Sequence, residues 1–69
     1  MSRAKWHLPV IRETKKTSNN ELLENTLTAR ENCIYTEEHA PTHRDFVRLE
    51  ILEKELKNRL IKIGFLINA

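Results

Sequence analysis

A chain of 69 residues allows one domain, and 39% hydrophobic with 32% charged residues is the balance of a folded chain, not a disordered one. Its single cysteine, Cys33, excludes an internal disulfide, and no apolar run approaches the ~18 residues of a membrane-spanning helix. The net charge of +2 hides a strong pattern: five bases against one acid over 1–20 leave +4, five acids against one base over 21–38 leave −4, and six bases against four acids leave +2 over the rest.

Chains below about 70–80 residues are commonly held together by disulfides, a metal, an oligomer or very regular helix packing. With one cysteine and no strong metal motif, self-association or docking to a partner is the expected source of extra stability. A single glycine and an apolar set rich in Leu and Ile favour helices over a turn-rich β fold.

Residues 1–17 read as an extended basic arm. Trp6, Leu8 and Val10 alternate with Lys5, His7 and Pro9, a period of two, and Pro9 argues against a central strand. The basic start has no long apolar stretch behind it, so it does not read as a secretory signal. A cytoplasmic location is the expectation.

A single helical domain is predicted over 18–69. Its first helix spans about 18–32, opened by a Ser18–Glu21 capping box, with Leu22, Leu23 and Leu27 as its apolar stripe. A linker follows over 33–41, ended by Pro41. The longest helix spans about 42–63, capped by Thr42 with Asp45 in its first turn, and Gly64 sits where a left-handed cap residue belongs. Glu50–Lys54, Glu53–Lys57 and Glu55–Arg59 are i,i+4 pairs in the favoured order.

The long helix has two apolar sectors. Phe46, Leu49, Leu52, Leu56, Leu60 and Ile63 form one, and Leu49, Leu52, Leu56 and Leu60 are the expected core. Val47, Ile51, Ile61 and Phe65 form a second on nearly the opposite side. Two sectors require two neighbours. The short helix supplies one; the other is a second copy, a partner protein, or the N-terminal arm folded back.

Chemistry-bearing groups are sparse. Cys33, His39 and His43 are near one another in sequence, but Pro41 interrupts the i,i+4 spacing of the histidines and a fourth zinc ligand is lacking, so no metal is assigned. A Cys–His nucleophile would need an orienting group and a pocket that nothing in the pattern provides. There is no glycine-rich phosphate loop and no Cys-x-x-Cys. An enzyme, a cofactor and a small-molecule substrate are therefore not expected.

Glu21-Leu22-Leu23, with Arg44-Asp45-Phe46-Val47 and the Glu/Lys-rich helix after it, is similar over less than half the chain to small helical-hairpin inhibitors of bacterial sporulation histidine kinases. Thr36-Glu37-Glu38 through Leu49, Leu52, Leu56 and Gly64-Phe65 resembles the central helix of some phage terminase small subunits. Both resemblances imply a small helical regulator or assembly subunit.

The sequence thus predicts an all-α helical hairpin or small bundle with a long C-terminal helix and an extended N-terminal arm. The expected function is protein–protein contact as a regulatory or assembly adaptor that self-associates, with Trp6, Val47, Ile51, Ile61 and Phe65 meeting the partner. The alternative is a nucleic-acid-binding subunit using Arg3, Lys5, Arg12, Lys15 and Lys16 to contact phosphates.

Overall fold

A computed structural model describes residues 6–66. Three helices follow in order: α1 (His7–Lys16), α2 (Asn19–Asn32) and α3 (His43–Lys62). The all-α class and the long C-terminal helix are as the sequence predicts. Among the described residues no helix is long and apolar enough to cross a membrane.

The segment 7–16, expected to be extended, is helical. Pro9 is the third residue of α1, and the first turn of a helix has no intrahelical use for the N–H that proline lacks. The period-two reading fails because His7, Val10, Ile11 and Thr14 also recur at helical spacing, and it is these residues that are at least partly buried. The helix ends with Lys15 and Lys16 in its last turn, at the negative end of its dipole.

The other two helices start where their caps dictate. The Ser18 hydroxyl accepts from the Glu21 N–H at 3.3 Å and donates to the Glu21 carboxylate at 3.2 Å. Thr42 and Asp45 form a reciprocal capping box, in which the Thr42 N–H donates to Asp45 Oδ2 at 2.8 Å and the Asp45 N–H to Thr42 Oγ1 at 3.4 Å. Past the end of α3, Gly64 takes φ +80°, and Phe65 N–H returns to the Leu60 carbonyl at 2.9 Å.

α3 is the spine, and both other helices pack on it. Asn19 at the start of α2 bonds Arg59 near the end of α3, while Arg30 near the end of α2 meets Glu53 at 3.9 Å, so α2 runs antiparallel to α3. Trp6 lies against Arg44 and Thr14 against Arg59, so α1 runs alongside α3 in the same direction.

The core lies between α2 and α3. Leu22, Ala29 and Leu52 are buried, with Leu49 and Leu56 packed against them. Here the expectation for α2 needs correction. Its contact line is Leu22, Thr26 and Ala29, at i, i+4 and i+7, and Leu23 and Leu27 point outward at 48% and 54% exposure. Consecutive residues stand about 100° apart on a helix, so Leu22 and Leu23 cannot share one narrow stripe. The small side chains at 26 and 29 let α3 approach, and the buried Thr26 hydroxyl is satisfied by the Leu22 carbonyl at 2.7 Å.

Candidate interaction surfaces

The side of α3 turned toward α1 carries the expected second sector. Val47 and Ile51 are half-buried and line an open groove of about 370 Å³, whose opposite wall is His7, Ile11, Thr14 and Lys15 of α1. Glu50, Lys54 and Glu55 add charge along α3. α1 is therefore the intramolecular neighbour of this sector, though it leaves the groove open. A second hollow, toward the end of α3, is lined by Lys15, Asn58, Arg59 and Ile61 among others. Lys15, Glu55 and Asn58 belong to both, so the two are continuous.

Trp6 adjoins His7 at the start of α1. Its ring meets His7 edge-on at 5.9 Å and carries the Arg44 guanidinium at 4.9 Å, a cation–π contact. Phe65 lies beyond the helix, 74% exposed. Four of the five residues expected to meet a partner thus lie along one flank of α3, with Phe65 past its end.

Arg59 secures the lower end. It donates from Nε to Glu55 at 2.9 Å, from one Nη to Asn19 Oδ1 at 2.8 Å, and from the other to the Thr14 and Lys15 carbonyls at 3.1 and 3.3 Å. Both carbonyls lie in the last turn of α1, and that of Thr14 also accepts from the Thr17 N–H at 3.2 Å, so Arg59 reinforces the end of one helix while holding the start of another. Of the three expected i,i+4 pairs, Glu55–Arg59 closes, whereas Glu53 turns to Arg30 of α2.

The opposite side of the α2–α3 pair carries Leu23 and Leu27 of the expected α2 stripe and Phe46 of the first α3 sector, each about half exposed, with linker residue Ile34 exposed beside them. Helical spacing on α2 was the signal that could have found the two leucines, because Leu22, Thr26 and Ala29 already fill the inward line.

Of the basic residues considered for nucleic acid, Arg3 and Lys5 lie outside the described residues. Arg12, Lys15 and Lys16 are exposed on α1, with Lys15 at the groove wall.

The linker groups are held by structure. His39 Nε2 lies 3.1 Å from the Asn32 carbonyl and 3.2 Å from Asp45 Oδ2, joining the end of α2 to the start of α3. His43 opens α3, so the two histidines share no helix face. Among the described residues no group of three His, Cys, Asp or Glu side chains could hold a metal. Partial burial pushes the Cys33 thiol up, as do the Asp45 and Glu53 carboxylates, which is the reverse of what a thiolate nucleophile requires.

No family model, no curated protein and no solved structure matches this chain.

Proposed function

We propose that this protein is a non-catalytic helical adaptor that acts in the cytoplasm through protein–protein contact. The carrying observation is the open groove between α1 and α3, with an apolar floor of Ile11, Val47 and Ile51 and charged residues on both walls. An apolar floor with a charged rim is the form that buries a partner's anchor residues while fixing its orientation. Ile61 extends the apolar surface toward the end of α3, and Trp6 adjoins the groove residue His7 at the other end.

The test is affinity capture from extract, comparing the natural chain with the Val47→Asp, Ile51→Asp double variant. Loss of a specific partner with an unchanged circular dichroism spectrum is the expected result. Retention of the same partner by the variant, or unfolding of the variant, overturns the assignment of these residues to a partner.

Nucleic-acid binding through Arg12, Lys15, Lys16 and the residues before them is the weaker reading, because Trp6, the aromatic beside these bases, is engaged by Arg44. Filter binding at two salt concentrations decides it: phosphate contacts weaken as salt rises, and no retention at low salt removes the reading.

A further inference from the structure

The outer side of the α2–α3 pair is a separate surface. Leu23, Leu27 and Arg30 follow one another at helical spacing on α2, with Ile34 two residues past its end, and Phe46, Glu53 and Leu60 do so at intervals of two turns on α3. The Arg30–Glu53 ion pair joins these two lines, so both face the same way. Val47 and Ile51, which meet α1, lie on another side of α3. The antiparallel contacts Arg30–Glu53 and Asn19–Arg59 put Ile34 and Phe46 toward one end of the pair and Leu23 and Leu60 toward the other.

We infer that this face, centred on Leu23, Leu27, Ile34 and Phe46, is the contact between two copies of the chain. The inference rests on the reading of the protein as one that works through protein contact, and it names one occupant for one face.

The first argument is area. Those four side chains are 48%, 54%, 60% and 51% exposed. Together they offer roughly 400 Å² of apolar surface, about half of the ~800 Å² that each partner contributes to a standard interface. A polar rim supplies the remainder in such interfaces. Against this, the buried apolar core among the described residues is Leu22, Ala29 and Leu52. A domain this small gains most by closing its open apolar side on a second one.

The second argument is charge. A two-fold axis running along the helix pair sets α2 of one copy against α3 of the other, antiparallel, as in a four-helix bundle. Glu24 falls between Asn19 and Arg30, and Lys57 between Glu53 and Arg59, so Glu24 of one copy then stands near Lys57 of its mate, twice over. Both are exposed, and neither forms an ion pair among the described residues. The alternative docking, α2 on α2, would bring the acidic edges of Glu24 and Glu31 together.

The experiment is sedimentation equilibrium across the micromolar range on the full chain. The natural chain is expected at twice 8.2 kDa. Leu27→Glu is expected to sediment as a monomer with its helical spectrum intact. Lys57→Glu and Glu24→Lys, which touch no core residue, should each weaken the dimer by about tenfold, and the two together should restore it. A dimer that survives Leu27→Glu, or single charge changes without effect, overturns the inference. A monomeric natural chain that still captures a partner through Val47 and Ile51 overturns the second copy alone; a monomer that captures nothing overturns the adaptor reading as well.

Discussion

An Nη of Arg59, one turn from the end of α3, donates to the main-chain carbonyl of Thr14 across 45 residues of sequence, at 3.1 Å. The same guanidinium reaches Glu55, Asn19 and Lys15, so a single side chain fastens all three helices at one end of the molecule.

Replacing Arg59 with methionine is therefore expected to cost about 2–3 kcal/mol, the range for bonds made by a charged group that is mostly shielded from water. Its side chain is 21% exposed, so solvent screening is limited. Lysine should recover less than half, because an ammonium cannot present a planar fork to four acceptors. Urea denaturation measures the loss. Amide exchange should show α1 opening before α2 and α3.

Leu22 and Leu23 are neighbours in sequence and opposites in environment, at 0% and 48% exposure. Leu22→Ala should destabilise the fold by about 2–5 kcal/mol, enough to threaten so small a domain. Leu23→Ala should cost less than 1 kcal/mol in a monomer. Thermal melts at low protein concentration separate the two, and equal losses would mean that α2 is rotated from the orientation described above.

Asp45 contributes acid sensitivity at the start of α3. Its carboxyl is held below the usual carboxylate range, first by the Thr42 backbone N–H and further by the Thr42 hydroxyl and His39. A folded-state value below the unfolded one means that this contribution is complete above the unfolded pKa of about 3.9 and is lost as pH falls through the folded value. Melting temperature should therefore fall on the acid side of about pH 4, and Asp45→Asn should flatten that part of the profile. Circular dichroism melts from neutral pH downward make the comparison.

Gly64 is the one described residue with positive φ, at +80°, and a Cβ built there meets nothing within 4 Å. Gly64→Ala should thus cost about 1 kcal/mol from backbone strain alone, with no steric addition. A loss much larger than this in a denaturant titration would reveal a contact at the end of α3 that forms only in an assembly.

The local chemistry was legible in the sequence because it depends on near neighbours. Ser18 with Glu21 and Thr42 with Asp45 mark helix starts through bonds spanning three residues, and Gly64 marks a stop through its own φ. The two apolar sectors of α3 likewise follow from helical periodicity, so the need for two neighbours could be stated without coordinates. What only tertiary structure decided is which neighbour each sector received. Proline in a first turn is silent about helix formation, so 7–16 could be read as extended until α1 was found against Val47 and Ile51. The outward turn of Leu23 and Leu27 depends on how closely α3 approaches Thr26 and Ala29. The role of Arg59 depends on where the end of α1 comes to lie. Neither distance is encoded in local spacing; both are set by how three helices share a core of a few side chains.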